Sequence, residues 1–210
     1  MARGRFITLE GGEGAGKTTL ARALRDALQA HGLEVVLTRE PGGTPNAEAL
    51  RELLLEGETG RWSPVAETLL LFAAREDHVR RLIEPALARG AWVICDRFSD
   101  STRAYQGAAG GLEAARITAI EQAALGAMAP DLTVIADLDP EDGMARTRAR
   151  GEAVTRFEAH PPQFHARLRQ AFLDIAAAEP KRCVVLDASQ TPDALARAAL
   201  DAIETRLGLP

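Results

Sequence analysis

Apolar positions cluster in five short runs: "RFITLE" (5–10), "EVVLT" (34–38), "AWVIC" (91–95), "LTVIADL" (132–138) and "CVVLD" (183–187). Each run is continuous rather than alternating, which predicts strands covered on both faces. The long Ala/Leu/Arg/Glu-rich segments between them repeat with helical period, over 17–30, 64–89, 112–128 and 191–207. A further helix carrying Arg51 is expected after the Gly-Gly pair of "TREPGGTPNAEALRELLLEG" (38–57). Strand alternating with helix implies βαβ units, and so a largely parallel, three-layered α/β sheet. Right-handed crossovers then collect the loops that follow the strands along one edge, where ligands bind. One stretch breaks the pattern. In "RTRARGEAVTRFEAHPPQFH" (146–165), glycine, paired prolines and clustered arginines predict a mobile excursion between helices.

With 46% hydrophobic residues among 210, and no repeat, low-complexity tract or Gly/Pro/Ser-rich linker, the chain reads as one domain, 1–210. Its net charge of −5 argues against a general nucleic-acid or membrane-surface binder, yet leaves room for a small anionic ligand held by a few cations. Cys95 and Cys183 are far apart, each inside an apolar run, and read as buried thiols rather than a disulfide. The first residues are too short an apolar run for a signal segment, and no run approaches the ~20 residues of a membrane span. The expectation is a soluble, cytoplasmic protein. His31, His78, His160 and His165 show no ligand spacing with cysteines or acids, which argues against structural zinc.

Chemistry concentrates at the ends of the predicted strands. In "EGGEGAGKTT" (10–19), Gly11-x4-Gly16-Lys17-Thr18 follows a strand and opens a helix. That is the context in which the pattern cradles phosphate. Gly11, Gly12, Glu13, Gly14, Ala15 and Gly16 would turn backbone N–H groups inward. The helix that opens at Lys17, Thr18 and Thr19 would add its positive end. Lys17 would reach the β- and γ-phosphates of a nucleoside triphosphate, and Thr18 would ligate Mg²⁺. The only asparagine is Asn46, so the Asn-Lys-x-Asp guanine reader of switch GTPases is excluded. After the third run, "DRFSDSTRAYQG" (96–107) puts Asp96 where a Mg²⁺-organising carboxylate belongs. Arg97 beside it reads either as a phosphate clamp or as half of a surface ion pair. In "TLLLFAAREDH" (68–78), Leu71, Phe72 and Arg75 share a helical face. They read either as core with a snorkelling arginine or as a clamp for a planar base.

Taken together, "EGGEGAGKTT", "TREPGGT", "FAAR", "DRFSDSTRAYQG", "PDLTVIADLDPE" and "RARGEAVTRFE", spread over roughly residues 5–160, resemble the bacterial form of the thymidylate kinases. The resemblance implies a three-layer P-loop kinase fold with a five-stranded parallel sheet and a short mobile lid near 146–162. It also implies ATP and Mg²⁺ as cofactors, dTMP as acceptor giving dTDP for dTTP synthesis, and a homodimer formed through helices. Residue by residue, it implies Lys17 and Thr18 on the ATP phosphates and metal, and Asp96 organising Mg²⁺. Arg97 would grip the dTMP phosphate, with Arg39 and Arg51 lining its pocket. Arg75 and Gln106 would hydrogen-bond thymine, with Ser101 and Thr102 flanking it and Tyr105 crowding the sugar's 2′ position. The stacking phenylalanine of the family corresponds to Leu71 here, so either Phe72 rotates in or the stack is aliphatic. Glu13 would face the acceptor rather than the γ-phosphate. Because the loop then lacks a cation of its own, Arg156 of the lid, with Arg148 and Arg150 in support, would supply one to the transferring group. Glu10, still on the strand, would orient the loop by accepting hydrogen bonds. Adenine-site candidates near 188–192 follow from position alone.

Overall fold

The structure, a computed structural model, describes residues 3–149, 151 and 155–209. Arg150 and residues 152–154, the centre of the expected lid, lie outside the described residues. All five expected strands are present: β1 (Phe6–Glu10), β2 (Val35–Arg39), β3 (Trp92–Asp96), β4 (Leu132–Asp137) and β5 (Cys183–Asp187). They form one parallel sheet in the order β2-β3-β1-β4-β5. The register pairs Leu9 with Asp96, Arg39 with Asp96, and Glu10 with Ile135, so the carboxyl ends of β1, β2 and β3 finish side by side.

Alternate residues of the central strands feed two cores. Ile7, Leu9, Ile94 and Val134 face helices α1 (Lys17–Ala30) and α8 (Pro192–Leu207) on one side, meeting Leu20, Leu24, Leu195 and Ile203. On the other side Phe6, Val93 and Cys95 meet Val79, Ile83 and Leu87. Those belong to α3 (Pro64–His78) and its continuation through a π-helical turn (Val79–Ile83) into Glu84–Ala88. Ile135 and Cys183 meet Phe164, Leu168 and Phe172 of α7 (Pro162–Ala178). Full coverage on both faces holds for β1, β3 and β4 but not for the margins. As edge strands, β2 is half-buried up to an exposed Arg39 and β5 alternates, with Val185 40% exposed.

Three helices start alike. At α2 (Pro45–Leu55), α3 and α8, a Ser or Thr cap (Thr44, Ser63, Thr191) accepts the N–H three residues on, and proline follows it. Proline there gives up a donor the first turn could not use. α4 (Ser99–Thr102), running on as a π turn (Arg103–Ala109), and α6 (Pro140–Ala149) complete the helical set, with α5 (Ala114–Leu125) inside the expected 112–128. The expected excursion over 146–165 is shorter than its composition suggested. Its first residues finish α6, and its last open α7, whose Phe164, Leu168, Ala171 and Phe172 are all buried. Cys95 and Cys183 are buried free thiols. Among the described residues no helix is long and apolar enough to cross a membrane.

Candidate active site

The loop between β1 and α1 needs its glycines for two reasons. Gly14 and Gly16 have left-handed φ of 69° and 82°, and Gly11 has φ 133°. A Cβ on Gly14 would lie 2.1 Å from the Gly143 carbonyl oxygen, so the loop packs directly on α6. No side chain caps α1, which leaves its first N–H groups available to an anion. Lys17, almost fully buried, donates to the carbonyls of Gly12 (2.7 Å) and Gly11 (3.1 Å). Burial and the Arg97 charge lower its pKa to about 8 against the opposing pull of Glu13, Asp96 and Glu10. The Thr18 hydroxyl donates to Asp96 Oδ2 at 2.8 Å across the β1–β3 junction. A hydroxyl and a carboxylate side by side are hard oxygen donors of the kind that hold Mg²⁺.

Arg97 has φ 73°, the one positive φ at a non-glycine among the described residues. Such a conformation costs about 1–2 kcal/mol and persists only where surrounding contacts fix it. Here they do. Nη1 donates to Gly11 O and Ser101 Oγ, both at 3.1 Å, while Nη2 donates to Glu13 Oε1 (3.0 Å) and Tyr105 Oη (2.9 Å). Tyr105 donates in turn to the same Glu13 oxygen at 2.5 Å. Burial raises the Glu13 carboxyl, but Arg97, Lys17 and the Tyr105 hydroxyl outweigh it and bring it down to about 2. Glu10 does accept hydrogen bonds, though from the turn after β3 rather than from its own loop: Phe98 N (2.8 Å), Ser101 N (3.3 Å) and Ser101 Oγ (2.6 Å).

A cavity of about 340 Å³ runs from this loop to a second cluster of cations, within the usual size of small-molecule sites. From the loop side it is lined by Glu13 through Thr19, with Asp96 and Arg97. Gly11 and Gly12 are not part of the lining; their carbonyls accept from Lys17. From the far side come Arg39, Arg51, Arg75, Thr102 and Gln106, with Ser101 and Tyr105 between. Arg39 pairs with Glu48 at 3.1 Å, and Arg51 donates to Pro41 O at 2.7 Å. Arg75 is buried, its Nε donating to Glu40 at 2.6 Å and its terminal nitrogens to Thr102 Oγ1 and Phe98 O. Gln106 donates to Glu67 Oε1 at 2.6 Å.

Two expected residues sit elsewhere. Phe72 does not line the cavity; Leu71 does. Phe72 packs with Leu112 and Ile117 in the core, and its ring lies 4.6 Å from the Arg75 guanidinium, so it backs the arginine instead of a ligand. Consecutive helix residues point about 100° apart, and the cavity takes the earlier one. Arg156 is likewise absent from the lining, although Thr155, Phe157 and Glu158 contribute to it. It is buried against Glu67, with which it pairs, and donates to Leu54 O at 2.8 and 3.1 Å. The reason is charge: Glu67 is itself buried and needs a cation. Arg148 is exposed at the end of α6. Glu40, Glu67 and His78 escaped the sequence reading. Glu67 had a signal, since Glu67, Leu71 and Arg75 recur every four residues on one helical face.

The thymidylate kinase family model matches residues 9–199 of the chain. The chain is 56% identical over 209 residues to the thymidylate kinase of Caulobacter vibrioides, covering 100% of both. It is 50% identical over 207 residues to that of Bradyrhizobium diazoefficiens, covering 98% of this chain and 91% of the relative. The crystal structure of thymidylate kinase from Ehrlichia chaffeensis superposes with a TM-score of 0.77 at 33% identity, covering 96% of this chain and 99% of that one. The chain belongs to the thymidylate kinase family.

Proposed function

We propose that the chain transfers the γ-phosphoryl group of ATP to dTMP, giving ADP and dTDP for dTTP synthesis. The observation that carries this reading is a single cavity joining a phosphate-binding loop to a second, separate set of cations. On the donor side, loop N–H groups and Lys17 bind the triphosphate, and Thr18 with Asp96 would hold Mg²⁺, which supplies charge neutralisation when bound. On the acceptor side, the Arg97 fork takes the monophosphate, Arg75 and Gln106 meet the base edge, and Leu71 lies against its face. Arg39 and Arg51 complete the lining, and Tyr105 stands beside the sugar. Phosphoryl transfer asks for alignment and charge balance rather than covalent help, and these residues supply both. We also infer a homodimer formed through helices. Leu69 on α3 is a large apolar side chain left 52% exposed, which a partner would cover.

The test is ADP formation in a coupled assay, with and without acceptor, across dTMP, dUMP, dCMP, dGMP and AMP. Turnover should depend on acceptor and prefer dTMP. The margin over dUMP should be only about 1–3 kcal/mol, since one methyl group separates them. Better use of AMP or dCMP, or ADP release indifferent to acceptor, would overturn the reading.

A further inference from the structure

His78 has no accessible surface and does not line the cavity, yet it joins three elements around the acceptor end. From α3 its Nδ1 donates to Glu40 Oε1 at 2.9 Å, and its Nε2 meets the Thr38 hydroxyl of β2 at 2.8 Å. The other Glu40 oxygen accepts from Arg75 Nε at 2.6 Å. The turn after β2 lies directly on the ring: a Cβ on Gly43 would be 2.4 Å from His78 Nε2. That same turn presents the Pro41 carbonyl that holds Arg51. One buried imidazole thus stands behind both Arg75 and Arg51.

A cation site is the competing use of these atoms, because Glu40, His78 and Cys95 each bring a donor within 4.8 Å of the others. The bonding already present argues against it. Both ring nitrogens of His78 are engaged, Glu40 is shared with Arg75, and the Cys95 thiol donates to Arg97 O at 3.0 Å. Burial, with the Glu40 charge, also pushes the Cys95 thiol well up, against the thiolate a metal would need.

We propose that His78 is a positioning residue for the acceptor nucleotide, holding Glu40 and the turn at 41–43 so that Arg75 and Arg51 face the cavity. This rests on the dTMP kinase reading. A hydrogen bond to a charged group is worth on the order of tenfold to a hundredfold. His78→Leu, which keeps the bulk and removes both nitrogens, should therefore raise KM for dTMP at least about tenfold. KM for ATP should not move, and kcat should stay within about threefold. His78→Asn carries an amide nitrogen near the place of Nδ1, and should recover most of the loss. Should His78→Leu fail to fold, Thr38→Val carries the test, with a rise of about threefold in KM for dTMP expected from the freed ring. Unchanged KM for dTMP, an equal rise in KM for ATP, or an asparagine variant no better than leucine would overturn the assignment. Wild-type enzyme assayed alongside separates the two claims. If it turns over dTMP and the variants match it, this inference alone falls; if it shows no dTMP-dependent turnover, both fall.

Discussion

Glu10 should make stability depend on pH in a direction opposite to that of an ordinary paired carboxylate. It is fully buried at the end of β1. Burial and the nearby Asp100 charge raise its pKa, while Ser101, Arg97 and the Phe98 N–H lower it, leaving it up at about 7 from an ordinary 4.5. The folded protein thus holds this proton more tightly than the unfolded chain does. Its stabilising contribution is fully present below about pH 4.5 and is lost as pH rises through about 7. At about 1.4 kcal/mol for each tenfold change in proton affinity, the loss approaches about 3 kcal/mol by pH 8 and above. Glu10→Gln keeps the shape and an oxygen for the Phe98 N–H but does not titrate. Its amide would face Ser101 Oγ and remove the acceptor for that hydroxyl's own proton, a loss of about 1 kcal/mol at every pH. The variant should therefore be less stable than wild type near pH 4.5, and more stable by about 2 kcal/mol near pH 8. Urea unfolding followed by the fluorescence of the buried Trp92, at several pH values, measures the difference directly. Carboxyls remote from position 10 cancel between the two proteins. A difference that stays flat with pH would show that Glu10 titrates normally, and the account of its burial would be wrong.

Three further substitutions test assignments that the sequence could not separate. Phe72→Ala should cost about 3–5 kcal/mol of stability as a core truncation, with KM for dTMP changed less than by Leu71→Ala, which trims the cavity wall itself; thermal unfolding and acceptor kinetics check the pair, and the reverse ranking would return Phe72 to the ligand. Arg156→Ala distinguishes the two roles open to this arginine. With Glu67 left unpaired beside Gln106, KM for dTMP should rise by about tenfold, whereas an isolated fall in kcat of orders of magnitude would assign Arg156 to the transferring phosphoryl group.

The layered sheet was legible because strand and helix differ in period, and all five apolar runs became strands of the central sheet. The phosphate loop was legible because its glycine spacing expresses a backbone demand that Gly14 and Gly16 meet with positive φ. What stayed hidden were partnerships across sequence distance. Nothing in "REDH" announces that His78 meets Thr38 and Glu40, since the ring's partners arrive from a strand end and a turn folded onto it. Choosing Leu71 over Phe72 required the rotation of α3, an angle that composition does not carry. The Arg156–Glu67 pair was hidden for a related reason, since the two residues lie far apart in sequence.

The carboxylates of Glu10, at the end of β1, and Glu13, in the loop after it, stand close to cations that account for them. Lys17 and Arg97 share one small space, and Arg97 lowers the Lys17 pKa. Two cations that close repel each other more strongly as water is excluded. Glu13, bonded to Arg97 and raising the Lys17 pKa, is the counter-charge to both. With Lys17 at about 8, the ammonium is retained at neutral pH by only a narrow margin, and Glu13 supplies part of it. Glu10 bears no comparable cost, because at about 7 it is half neutral where Glu13 is fully charged. The acid at position 13 is thus what allows two positive groups to stand in the same pocket.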